Sequence, residues 1–134
     1  MGELIRSTTS IRIFGKNLNP DELTHLLGSQ PTKAQKRGEV ITNSNGETRV
    51  AKKGCWLISY DGDDEVELEI KIESLLNKLT DDFQIWERIT REYKVDIFCG
   101  LFLESFNEGY ELSARLLKKM GERNLKIGFD IYLP

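Results

Sequence analysis

Residues 94–104, KVDIFCGLFLE, place Val95, Ile97, Cys99, Leu101 and Leu103 on one side of an extended strand and turn Asp96, Phe98 and Phe102 to the other. A strand that is apolar on one face belongs in a sheet whose apolar side is covered by other elements. Two more segments follow this pattern. SIRIF (10–14), closed by Gly15, alternates around Arg12, and the terminal KIGFDIY sets Ile127, Phe129 and Ile131 on one face. GCWLISY (54–60) reads as a fourth strand, with a continuous apolar run. If Ile11, Ile13, Val95, Ile97, Phe129 and Ile131 meet the core, then Arg12, Phe14, Asp96, Phe98, Phe102, Asp130 and Tyr132 all point the other way.

The helices are marked by their ends. In LNPDELTHLLG, Asn19 is a natural N-cap and Pro20 fits the first helical position. Asp21 and Glu22 suit the positive end of the dipole, Leu18 and Leu23 form a staple, and Gly28 stops the helix. LSARLLKKMG has the same grammar, with Ser113 as cap, Leu112 and Leu117 as staple and Gly121 as stop. VELEIKIESLLNKL alternates from Val66 to Ile72, but Leu68, Ile72, Leu75, Leu76 and Leu79 form a helical stripe, which predicts a helix over 67–79. FQIWERITRE predicts another over 83–92. Residues 29–53 show no stripe; Asn45-Gly46 within them is a hairpin turn signal.

The order is therefore strand, helix, excursion, strand, two helices, strand, helix, strand. FGKNLNPDELTHLLG and ESFNEGYELSARLLKKMG read as the middles of two split βαβ units whose helices share one sheet face. The expected fold is a ferredoxin-like α+β sandwich, its halves joined by the helices at 67–92. It forms a single domain over 1–134, with 1–9 a loosely ordered N-terminus.

No apolar run approaches the roughly 18 residues that span a bilayer, and MGELIRSTTS lacks the pattern of a secretory signal. Cys55 and Cys99 both sit in apolar strands, which suits free, buried thiols rather than a disulfide. These features predict a cytoplasmic protein.

LNPDELTHLLGSQPT, Gly38, GCW and the terminal GFDIY together resemble the landmarks of domain-of-unknown-function family 4279, small bacterial proteins, across about residues 10–133. The resemblance implies a bacterial cytosolic α+β domain and supplies no catalytic residues. The family's polar landmarks fall on Thr32, Gly38, Trp56, Asp130 and Tyr132.

The residues offer little to an enzyme. His25 is the only histidine and lies opposite Leu23, Leu26 and Leu27, so it is expected to face solvent. There is no G-x-S-x-G elbow, no phosphate-binding glycine motif and no EF-hand. In DGDDE, Val66 stands where a calcium loop needs glycine and Ile72 where it needs glutamate. No metal site and no cofactor are expected.

Charge is segregated instead. The stretch 33–53 holds six basic side chains (Lys33, Lys36, Arg37, Arg49, Lys52, Lys53) against Glu39 and Glu47, while 61–82 holds nine acidic ones against Lys71 and Lys78. These are solvated faces, or else an anion site made by Lys36, Arg37 and the backbone near Gly38, or an acidic docking surface. Aromatics on an open sheet face can stack bases, but Asp96 and Asp130 oppose phosphates and the formal charge is −3, so nucleic acid is not expected. The excursion is expected to lie partly over that face, with Arg12 paired to a carboxylate. The reading is thus a non-enzymatic module that binds another protein, of immunity or accessory type. The alternative is a small-molecule or anion-binding domain with a polar site on the sheet face. The candidate binding residues are Arg12, Lys36, Arg37, Asp96, Asp130 and Tyr132.

Overall fold

The computed structural model describes residues 2, 3 and 6–134. After a short bridge strand β1 (Gly2–Glu3) the chain runs through β2 (Arg6–Gly15), α1 (Pro20–Leu27), β3 (Lys33–Gln35), β4 (Val40–Thr42), β5 (Thr48–Val50), β6 (Gly54–Ser59), α2 (Leu68–Lys78), α3 (Phe83–Glu92), β7 (Lys94–Phe102), β8 (Glu108–Gly109), α4 (Ala114–Glu122) and β9 (Lys126–Tyr132). The main sheet has the order β3-β6-β2-β7-β9; β4 with β5, and β1 with β8, form two separate pairs.

β6 and β7 flank β2 on either side, both antiparallel to it. β3 is antiparallel to β6 and hence parallel to β2. Two split units result: β2–α1–β3 closes around β6, and β6–α2–α3–β7 closes around β2. The second is not the one the sequence suggested. The segment around 105–121 does not split a pair, because α4 joins β7 to β9, which lie side by side and parallel. The main-sheet strand that sequence reading missed is β3, three residues (Lys-Ala-Gln) with no alternation to read; the short β1 and β8 were missed as well.

Helix ends behave as their chemistry requires. Asn19 Oδ1 accepts from the amides of Asp21 (3.1 Å) and Glu22 (3.4 Å), and Gly28 takes φ 75° at the other end of α1. Ser113 Oγ accepts from Leu116 N at 3.1 Å. Gly121, expected as a stop, lies inside α4; the left-handed turn falls to Asn124 (φ 56°), a residue type that tolerates it. The predicted turn at Asn45-Gly46 joins β4 to β5, with Asn43 Oδ1 accepting from the amides of Asn45 and Glu47.

One core holds the inward faces of β2, β6 and β7 together with all four helices. Ile11, Ile13, Trp56, Ile97, Cys99 and Leu101 meet Leu23, Leu27, Leu68, Ile72, Leu75, Leu76, Trp86, Ile89 and Leu116, all essentially without solvent contact. Burying each such aliphatic side chain contributes about 1.5–3 kcal/mol relative to leaving it in water. Trp56 also donates through Nε1 to Thr24 Oγ1 (3.0 Å), which ties α1 to β6. Two expectations are corrected. Residues 6–9, read as part of a loose N-terminus, are paired along β7 with Ser7 and Thr9 buried; residues 1, 4 and 5 lie outside the described residues. Ile131, expected in the core, is 55% exposed, because the last residues of the edge strand β9 extend past helical cover, while Phe129 reaches the core's margin.

Candidate functional site

Strand register sets the outward sheet face in rows. Gln35, Cys55, Phe14 and Lys94 lie in register across β3, β6, β2 and β7. The next row is Lys33, Leu57, Arg12, Asp96 and Lys126. Beyond these come Ser59, Ser10, Phe98 and Gly128, then Thr8, Gly100 and Asp130, and last Arg6, Phe102 and Tyr132. Alternation alone puts these side chains together, since the neighbouring rows are the core.

Arg12 is the centre of the face. Its Nε and a terminal nitrogen donate to the two carboxylate oxygens of Asp96 at 2.9 and 2.7 Å, a bidentate pair with side chains 28% and 17% exposed. That hydrogen bonding raises the Arg12 pKa above its ordinary value, so the guanidinium stays charged. The same guanidinium lies 4.1 Å from the Phe98 ring centre and 5.2 Å from that of Phe14. Lys53 Nζ sits 4.7 Å from the Phe14 ring centre. At the far end Arg6 stands 4.6 Å over Phe102, whose other neighbour is Tyr132, stacked at 4.8 Å with planes 9° apart. Cations and rings thus form two clusters, one around Arg12 and one around Arg6.

The sequence candidates divide accordingly. Arg12 and Asp96 meet directly. Asp130 and Tyr132 share their face two rows or more away, and the Tyr132 hydroxyl donates to Asp130 Oδ2 at a long 3.5 Å. Lys36 and Arg37 are exposed beyond the end of β3 and join no ion pair among the described residues. The backbone amides that the anion-site alternative calls on are engaged: Gly38 N donates to Ala51 O (2.8 Å), Glu39 N to Lys36 O (3.2 Å) and Ala51 N to Glu39 O (2.9 Å). The excursion contributes an edge strand and a projecting hairpin, and its last residue before β6, Lys53, lies over Phe14, while Arg12, Phe14, Asp96 and Phe98 all keep partial exposure.

Several residues escaped sequence reasoning. Lys33, Lys53, Lys94 and Lys126 join Arg6 and Arg12 on this face, so six cations oppose Asp96 and Asp130 in a chain of net charge −3. Cys55 lies under them; burial raises its pKa, while Lys33, Lys53 and Arg12 pull it back. Beside it Gln35 Oε1 is buried with no hydrogen-bond partner, its amide nitrogen donating to Lys53 O at 3.3 Å. The register that assembles these residues needs β3, which no local pattern reveals, and the placing of β6 and β7 on either side of β2, which a local pattern cannot give. Lys71 is different. It is fully buried, with Nζ donating to Ser7 O (2.6 Å) and Asp64 O (2.9 Å), and it falls on the Leu68–Leu75 stripe, so a charge within an apolar stripe was the available signal.

On the helix side, Leu76, Asn77, Leu79, Thr80, Asp81, Lys119 and Arg123 line a half-open polar cleft. Among the described residues no group of three or more His, Cys, Asp and Glu side chains is arranged to hold a metal ion, and no helix is long and apolar enough to cross a membrane.

Residues 5–134 match the family described as Domain of unknown function (DUF4279). The chain belongs to the DUF4279 family. The early leucine-rich helix with its Pro20, the Trp56 strand and the closing Asp-Ile-Tyr therefore sit, in this DUF4279 chain, as α1, β6 and β9 around one sheet. No curated protein and no solved structure matches the chain.

Proposed function

We propose that this DUF4279 chain is a non-enzymatic protein-binding module that works through the outward sheet face and takes an acidic partner surface. The observation that carries this reading is the concentration of six cations against two carboxylates on the sheet face opposite the helices. Arg12 and Asp96 cancel each other, which leaves Arg6, Lys33, Lys53, Lys94 and Lys126 to face a partner against Asp130. Nucleic acid fits less well. Base stacking needs free ring faces, whereas Phe98 and Phe14 lie against Arg12 and Phe102 lies between Arg6 and Tyr132. The scaffold is read as a ferredoxin-like core over residues 6–102, supported by the order β3-β6-β2-β7, with α4 and β9 added at one edge. A bacterial, cytoplasmic setting and an immunity or accessory role belong to the same reading.

A second reading, a small-anion site, is favoured by Arg12 and Lys53 meeting over the Phe14 ring, 5.2 and 4.7 Å from its centre, beside Cys55. The two are separated by anisotropy titration of a labelled polyglutamate peptide, with inorganic phosphate as competitor. The wild type is expected to bind the peptide, more weakly as salt rises, and the triple variant Arg6→Glu/Lys33→Glu/Lys94→Glu to bind at least about tenfold more weakly. His25→Ala, on the other side of the molecule, should bind as the wild type does. Equal binding by the triple variant refutes the sheet-face reading, and displacement of the peptide by low millimolar phosphate replaces it with the small-anion one.

A further inference from the structure

We infer that β9 is a self-pairing edge and that the chain forms a two-fold symmetric dimer through it, antiparallel and centred on Gly128. The two edges of the sheet differ in how they are finished. β3 is three residues long, and Lys36 and Arg37 follow it, a short and charged edge of the kind that resists further pairing. β9 has seven residues, no proline, and no strand on its outer side among the described residues.

The backbone of β9 faces the right way. Tyr132 O accepts from Leu103 N on the β7 side at 3.0 Å. Backbone groups alternate in direction along a strand, so Lys126, Gly128, Asp130 and Tyr132 turn theirs to β7, while Ile127, Phe129 and Ile131 turn theirs outward. An antiparallel copy centred on Gly128 makes hydrogen-bonded pairs of Ile127 with the partner copy's Phe129, twice by symmetry, with apolar side chains on the helix side. Ile131 falls opposite the partner copy's Leu125, whose amide already donates to Met120 O at 3.0 Å, so that crossing holds at most one hydrogen bond, from Ile131 N to the Leu125 carbonyl.

The intervening, closer pairs are the non-hydrogen-bonded ones. There Gly128 meets its own copy at the axis, and a Cβ at that position would touch nothing within the chain. Lys126 stands directly opposite Asp130 of the other copy, twice by symmetry. Both side chains are exposed, and neither joins an ion pair among the described residues. Self-complementarity of this kind is what an isologous contact requires. The pairing also covers Ile131, which is 55% exposed, and extends the basic outward face across ten strands instead of five.

The test is a charge swap read by sedimentation. Wild type is expected to shift with concentration from 15.4 kDa towards twice that mass. Lys126→Asp places two aspartates opposite each other at both crossings and Asp130→Lys places two lysines there; each single change should weaken dimerisation about tenfold or more. The double variant Lys126→Asp/Asp130→Lys restores opposite charges and should restore the dimer. Hydrogen exchange gives an independent reading: the amides of Ile127, Phe129 and Ile131 should gain protection as concentration rises, in any variant that dimerises. A wild type that remains at 15.4 kDa near about 1 mM, where even a millimolar contact is half-formed, overturns the inference. So does a dimer indifferent to the single changes, or one the double variant fails to restore.

Discussion

Lys71 is the residue whose replacement tests the packing most directly. Its side chain is fully buried between α2 and the start of β2, and its ammonium holds the carbonyls of Ser7 and Asp64. Lys71→Ala removes both the donor and the stem. Leaving the buried Ser7 carbonyl without its donor costs about 1–3 kcal/mol. The lost methylenes leave a cavity beneath Ile72 and Leu75, in a class of substitution that costs about 2–5 kcal/mol. The expected total is about 3–8 kcal/mol in urea unfolding, with an unchanged m value because the core stays whole. Lys71→Met keeps the stem and also removes the cost of burying an ammonium, so it should lose only about 1–2 kcal/mol at neutral pH.

The pH dependence gives a sign as well as a size. Burial pushes the Lys71 amine below its usual 10.5, against a weaker pull from Asp64 and Asp63. Between that lowered value and 10.5 the unfolded chain holds a proton the folded chain has released, so Lys71 makes stability rise with pH across that window. Subtracting the Lys71→Met curve from that of the wild type isolates this contribution, since Cys99 and every other group are common to both. A difference that is flat or falls as pH climbs towards 10.5, or a loss below about 1 kcal/mol for Lys71→Ala, would refute the buried-ammonium account.

The remaining expectations follow from single contacts. Leu23→Ala should cost about 2–5 kcal/mol by opening the core under α1, and His25→Ala, exposed two residues on, should be silent; equal losses in a melting scan would mean the helix is rotated. Burial pushes the Cys99 thiol up from the usual 9.0 to about 11, against a weak bond with Thr9. Its contribution to stability should be present below pH 9.0 and lost as pH rises through about 11, and a thiol reagent at pH 8 should label Cys99 only after denaturant is added. A double-mutant cycle of Arg12→Ala and Asp96→Ala should give a coupling of about 1 kcal/mol, since the pair is bidentate but still part exposed; no coupling would mean the two side chains do not hold each other.

What could be read from the chain alone was what neighbouring residues decide among themselves. Asn19, Pro20 and Gly28 set the ends of α1, and Ser113 starts α4, because a cap satisfies backbone groups within a few residues of itself. The five-leucine-and-isoleucine stripe made α2 a helix against a competing strand pattern, and alternation correctly assigned Ile11, Ile13, Val95 and Ile97 to the core. Tertiary structure decided the rest. β3 has no pattern of its own and exists because β6 offers it an edge, and with it the pairing of split units changes. Lys71 is buried because a nearby carbonyl, that of Asp64, and one 64 residues away, that of Ser7, meet at its amine. The outward face gains its six cations from strands β2, β3, β7 and β9 and from Lys53. Their charges are legible one by one, but their meeting depends on strand register, which is set by contacts between segments far apart in the chain.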